Sequence, residues 1–139
     1  MSHPKVLVVS QASEVKRAVV AALGDCGLST VIATSVEEAR TIAKRHPLSL
    51  ILCSDELSGA MVEDFVRQVT LPPLRIPVVV VLRVGEWDRC LHFLNVGAHD
   101  CLAYPLSPSE IKRITQSVPG LMIPPKLYET PLRQRASAA

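Results

Sequence analysis

The chain has 139 residues, 48% apolar and 20% charged, which is the size and balance of one globular domain and excludes wholesale disorder or dependence on a disulfide or metal staple. Its formal net charge of +2 is too small to mark a nucleic-acid binder. The positive excess belongs to the C-terminal end: residues 1–111 carry 10 basic and 12 acidic side chains, whereas residues 112–139 carry 5 basic and 1 acidic.

In chain order, Lys5-Val6-Leu7-Val8-Val9 is a short β-branched run and predicts a buried strand. A helix follows from Glu14 to about Gly24, with Val15, Val19, Ala22 and Leu23 on one side, Ser13 as N-cap, and Gly24 and Gly27 marking its end. Residues Thr30 to Thr34 predict a second strand. Ser35 then caps a helix reaching about Arg45, with Glu38 three residues on as a capping box, and Pro47 stops it. Leu48 to Cys53 predicts a third strand. A polar loop with Gly59 leads to a third helix, on which Val62, Phe65, Val66 and Val69 recur at helical spacing, and Pro72 and Pro73 break the chain.

Val78-Val79-Val80-Val81-Leu82 is apolar without alternation, the pattern of a central parallel strand covered on both faces. A helix from about Glu86 to Val96 ends at Gly97, Cys101-Leu102-Ala103 is a short strand, and Ser107-Pro108-Ser109-Glu110 opens a last helix with Ile111, Ile114 and Val118 inward. Five β–α units in a row predict an α/β fold: a doubly wound, flavodoxin-like five-stranded parallel sheet with helices on both faces. The domain spans residues 1–118. Residues 119–139, with Pro119, Pro124, Pro125 and Pro131, read as a basic tail or linker.

Ligands of an open α/β sheet gather at the carboxyl ends of its strands. That places a candidate site at Ser10 and Gln11, at Ser54 to Glu56, at Leu82 and Arg83, and at Tyr104. Here the sequence resembles the response-regulator receiver domains (CheY-like) over about residues 4–118. The resemblance rests on Val8-Val9 followed by two polar positions, Ser13-Glu14-Val15, Ser35 through Ala39, Leu57-Ser58-Gly59, Ile76-Pro77-Val78, Gly97 through Asp100, and Tyr104-Pro105-Leu106-Ser107. No single piece is specific; their order and spacing together are. The resemblance implies strand order 2-1-3-4-5.

It also implies a chemistry, phosphoryl transfer to an aspartate with Mg²⁺, and position by position this chain departs from it. The metal-binding carboxylates become Ser10 and Gln11. The phospho-acceptor becomes Ser54, the hydroxyl after the fourth strand becomes Leu82, the lysine becomes Tyr104, and the switch aromatic becomes Cys101. These losses agree with one another, because Mg²⁺ wants carboxylates and a transferring phosphoryl group wants cations. The expectation is a degenerate pseudo-receiver with no cofactor and Mg²⁺ binding lost. Asp55 and Glu56, just past Ser54, are residual acids that a bulge would turn inward, which leaves a phospho-receiver using Asp55 as an alternative.

Trp87, Cys90, Leu91, Phe93 and Leu94 span an arc of roughly 160° on the fourth helix, wider than a sheet-packing stripe requires. Receivers use the face of helix four, strand five and helix five for dimers and targets. The resemblance thus puts Trp87, Cys90, Leu94 and Cys101 on or near an interaction face, for a homodimer, a partner protein or an effector domain. The four cysteines have no C-x-x-C spacing and read as buried thiols. His3, His46, His92 and His99 have no metal spacing and read as solvated side chains. No apolar run reaches the roughly 18–20 residues that span a bilayer, and no signal peptide opens the chain, so a cytoplasmic protein is expected. The scattered Lys126, Arg133 and Arg135 are too few to argue for nucleic acid.

The functional expectation is a signalling module, not an enzyme, that works by protein–protein contact independent of phosphorylation. The alternative from a different class is a small-molecule sensor with a neutral ligand among Ser10, Gln11, Ser54 and Tyr104.

Overall fold

The structure is a computed structural model that describes residues 5–54, 57, 59–83 and 86–118. Its elements alternate without interruption: β1 (Lys5–Val9), α1 (Ser13–Asp25), β2 (Ser29–Ala33), α2 (Val36–Arg45), β3 (Leu50–Ser54), α3 (Gly59–Thr70), β4 (Val78–Arg83), α4 (Trp87–Val96), β5 (Asp100–Tyr104) and α5 (Pro108–Ser117). The five strands form one parallel sheet in the order β2-β1-β3-β4-β5, as the resemblance implied.

Alternation along the strands sorts the core into two layers. Leu7 and Val9, Ile51 and Cys53, Val78, Val80 and Leu82, and Cys101 point to one face, where α2, α3 and α4 supply Ala39, Val62, Phe65, Val66 and Phe93. Val6 and Val8, Leu50 and Leu52, Val79 and Val81, and Leu102 point to the other, against Val15, Val19 and Leu23 of α1 and Ile111 and Ile114 of α5. The three inner strands are apolar at consecutive positions because both faces are covered. A fully buried Leu, Val or Phe contributes about 1.5–3 kcal/mol relative to an exposed one, so these two layers hold the fold.

The helix ends follow the sequence with one correction. Ser35 Oγ accepts from the Glu38 backbone N–H at 3.1 Å, and the Glu38 carboxylate reaches back to accept from the Thr34 N–H at 2.9 Å. Ser107 caps α5 in the same way, accepting from the Glu110 N–H at 3.2 Å, with Pro108 in the first turn. Ser13 is not the cap of α1. The N-cap is Ala12, and the Ala12 N–H is satisfied instead by Ser10 Oγ at 3.1 Å. The turn made by Ser10 thus starts the helix one residue earlier than a capping serine at position 13 would.

At the other end of α1, Gly27 takes φ +77°. Its N–H bonds Gly24 O and the Leu28 N–H bonds Leu23 O, the two crossed bonds of a left-handed helix stop. Gly97 ends α4 at φ +127°, where a Cβ would meet Thr70 Oγ1 at 3.0 Å, so α3 and α4 close against each other there. Strand β3 begins at Leu50 rather than Leu48, because the Ser49 N–H donates to Lys5 O and the register with β1 starts at Val6 opposite Leu50. Asp55, Glu56, His3 and the 119–139 tail lie outside the described residues.

Candidate functional site

The registers fix the level of each strand end. Val9 is opposite Cys53, so Ser10 stands beside Ser54 one step further along. Ser54 is opposite Val81, and Val81 is opposite Leu102. Leu82 therefore lies one residue beyond the level of Ser54, and Tyr104 lies two residues beyond it. The row beneath is apolar: Ala33, Val9, Cys53, Val80 and Cys101 share one level across all five strands and all are buried.

The site residues differ in what they offer. Ser10 is fully buried and Ser54 is 4% exposed. The Ser10 hydroxyl accepts from the Ala12 N–H, so part of its capacity goes to opening α1. Gln11 is exposed. Leu82 is 2% exposed and belongs to the layer under α2, α3 and α4, whereas the half-buried Tyr104 packs with the opposite layer. The registers thus bring Ser10, Ser54, Leu82 and Tyr104 to one edge of the sheet, with both serines buried and Leu82 and Tyr104 in opposite layers. None of the four is a lysine, an arginine, a histidine or a carboxylic acid. Among the described residues there is no group of three or more His, Cys, Asp and Glu arranged to hold a metal ion, and no buried side-chain nitrogen or oxygen lacks a hydrogen-bond partner. A hydroxyl and an amide give a poor donor set for Mg²⁺, which takes carboxylate oxygens. Ser10, Gln11 and Ser54 are a poor match for that ion.

The fourth helix divides in a way its composition did not reveal. Cys90 and Phe93 are 8% and 1% exposed, whereas Leu91 and Leu94 are 65% and 37% exposed. Of the expected interaction face, Leu94 is at the surface and Cys90 and Cys101 are not. Both thiols are core groups, and Cys101 Sγ lies 3.8 Å from Cys90 O. The reason is geometric: Cys101 points into the layer under α4, and α4 turns the Cys90–Phe93 stripe onto it. Trp87 opens α4, and its side chain lies outside the described part. Leu91, beside Leu94 on the outer side, is the surface residue that the sequence reading left off the face; the i, i+3 spacing from Leu91 to Leu94 was its signal.

The same region carries a polar seam that sequence reasoning missed. His92 Nε2 lies 2.9 Å from Glu63 Oε1 of α3, and the hydrogen bond from His92 holds the Glu63 carboxyl below its usual range, with Arg67 adding to the effect. The Arg89 guanidinium covers the Phe93 ring at 5.6 Å. On α5, Arg113 binds Glu110 through Nε and Nη2 and reaches Asp100 Oδ2 at 3.2 Å, and these two carboxylates raise the Arg113 pKa. His99 pairs with Ser117, and His46 is exposed.

Known proteins share this fold. No family model matches the chain. The response regulator protein PilR of Pseudomonas aeruginosa is 27% identical over 135 residues, covering 97% of this chain and 30% of its own length. The phosphate regulon transcriptional regulatory protein PhoB of the same organism is 26% identical over 108 residues, covering 76% of this chain and 47% of its own length. The chain therefore spans less than half of either relative. Among solved structures, the chemotaxis response regulator CheY4 of Vibrio cholerae superposes with a TM-score of 0.74 at 21% identity, covering 84% of this chain and 99% of that one. The fold is the CheY-like receiver fold: a five-stranded parallel sheet of order 2-1-3-4-5 with five helices. Its curated and structural neighbours are response regulators and receiver domains.

Proposed function

We propose that this chain is a signal-transduction module that has kept the receiver fold, dispensed with aspartyl phosphorylation, and acts through protein contacts. One observation carries the reading. The carboxyl edge of the sheet presents Ser10, Ser54, Leu82 and Tyr104, with Leu82 built into the core and Ser10 engaged in the turn that starts α1. A phosphoryl group arriving there would find no nucleophilic carboxylate, no lysine and no paired acids for Mg²⁺ at the positions where receivers keep them. A serine hydroxyl without a neighbouring base is a weak nucleophile.

The output of such a module is a surface. Leu91 and Leu94 on the outer side of α4 form its apolar part, and the Arg113, Glu110 and Asp100 network of α5 and β5 is a charged part. The proposed partner is a second copy, an effector domain or a separate regulator, as suits a chain whose relatives are longer regulatory proteins. No helix among the described residues is long and apolar enough to cross a membrane, and we place the module in the cytoplasm. The test is incubation of the full chain with Mg²⁺ and acetyl phosphate, followed by intact mass. The expected result is an unchanged mass; a stable phosphoryl adduct mapped to Asp55 would overturn the reading.

A further inference from the structure

A groove at the opposite end of the sheet takes no part in the strand-end site. Helices α2 and α3 return from the carboxyl to the amino ends of the strands, so the C-terminal half of α2 and the segment leaving α3 meet at the amino edge. Between them lies a cavity of about 530 Å³, within the size range of small-molecule sites. Its wall is apolar: Val69 is buried at the base, Leu74 is half-buried, and Leu71, Pro72 and Pro73 are exposed above them, Leu71 at 58%. That wall is held in shape. The Arg75 N–H bonds Leu71 O at 3.0 Å, and the Ile76 N–H bonds Val69 O at 2.7 Å.

The rim is cationic. Arg40 and Lys44 stand one turn apart on α2, where like charges repel. Among the described residues neither has a carboxylate within 4 Å. Arg40 is positioned by Gln68, whose Oε1 accepts from Arg40 Nε at 2.7 Å. The terminal guanidinium nitrogens are then left for another acceptor. Two adjacent cations over a preshaped apolar wall are complementary to one kind of molecule.

We propose that this groove binds a small amphipathic anion, with its carboxylate between Arg40 and Lys44 and a short aliphatic chain laid over Leu71, Pro72 and Pro73. Binding relieves the repulsion between the two cations and removes the exposed wall from water.

Decanoate titrated into the full chain and followed by amide NMR tests this. Saturable shifts are expected in residues 40–44 and 68–76. The Arg40→Gln/Lys44→Gln double variant is expected to bind decanoate about tenfold more weakly, the factor that one charge-assisted hydrogen bond typically supplies. Decanol, with the same chain and no charge, should bind the unaltered protein more weakly by a similar factor, and Leu71→Ser should weaken decanoate binding. These side chains are exposed or half-exposed, so the variants are expected to keep the fold, which their unperturbed amide spectra would verify. The proposal is overturned if millimolar decanoate gives no saturable shifts in the groove, if decanol binds as well as decanoate, or if the shifts cluster at Leu91 and Leu94 instead.

Discussion

Ser54 and Val81 are register partners across β3 and β4, which sets the buried Ser54 hydroxyl one level below Leu82 at the carboxyl edge of the sheet. A carboxylate placed at position 54 would enter an edge that is 4% exposed there, one level below the buried Leu82. Ser54→Asp is therefore expected to destabilise the domain by about 3 kcal/mol at neutral pH, the usual scale for an uncompensated buried charge. Burial raises the pKa of the new carboxyl, so the loss should shrink as pH falls below that raised value. Urea unfolding at several pH values reads this, and a pH-independent loss would count against it. Ser54→Asp alone is also expected to gain no phosphoryl adduct, because the paired acids and the lysine are still missing.

A second prediction concerns the bond between His92 and Glu63. Glu63 is depressed in the folded state by the hydrogen bond from His92 and by the charges of His92 and Arg67. A depressed carboxyl contributes stability that is present above its unfolded pKa and is lost as pH falls through its folded value. His92→Ala should therefore narrow the stability gap to the unaltered protein as pH drops from about 6 to about 3. Thermal unfolding across that interval checks it; a constant gap would contradict the role given to His92.

The caps offer a test of local structure. Ser35→Ala removes the acceptor of the Glu38 N–H, and Ser107→Ala removes that of the Glu110 N–H. Each should cost about 1 kcal/mol. Ser13→Ala should cost far less, since Ser13 lies inside α1 and caps nothing. Chemical denaturation of the three variants side by side decides whether Ser13 caps that helix.

The surface of α4 makes a fourth prediction. If the module works by contact through its outer side, Leu91→Glu and Leu94→Glu should abolish self-association or partner binding without lowering stability, because both side chains are exposed in the single chain. Light scattering over a concentration series reads the homodimer case. A monomer at every concentration, unaltered by either substitution, would exclude a second copy as the partner.

The fold was largely legible because its signals are local and repeated. Consecutive apolar residues in Val78–Leu82 required cover on both faces, and Ser35 with Glu38 and Ser107 with Glu110 marked helix starts that the structure realises. The errors arose where tertiary contacts decide. Ser13 looks like a cap, yet Ser10 satisfies the Ala12 N–H from outside the helix. Leu48 looks like strand, yet the ladder with β1 enters β3 at Leu50. On α4, composition grouped Cys90, Leu91, Phe93 and Leu94 as one apolar arc, and only the direction of the underlying layer separates the buried pair from the exposed pair. The site positions Ser10, Gln11, Ser54, Leu82 and Tyr104 were legible as strand ends. Their burial was not, since it depends on register between strands far apart in the chain. The cationic groove gave no sequence signal, because Arg40 and Lys44 meet Leu71 to Leu74 through the packing of α2 on α3.

The function proposed above requires a carboxyl edge that takes up neither Mg²⁺ nor a phosphoryl group. Amide NMR of the full chain titrated with millimolar Mg²⁺ and beryllium fluoride, a phosphoryl mimic, tests that requirement most directly. The resonances of Ser10, Gln11, Ser54, Leu82 and Tyr104 are expected to stay unmoved. Saturable shifts at those residues, with or without Asp55, would contradict it.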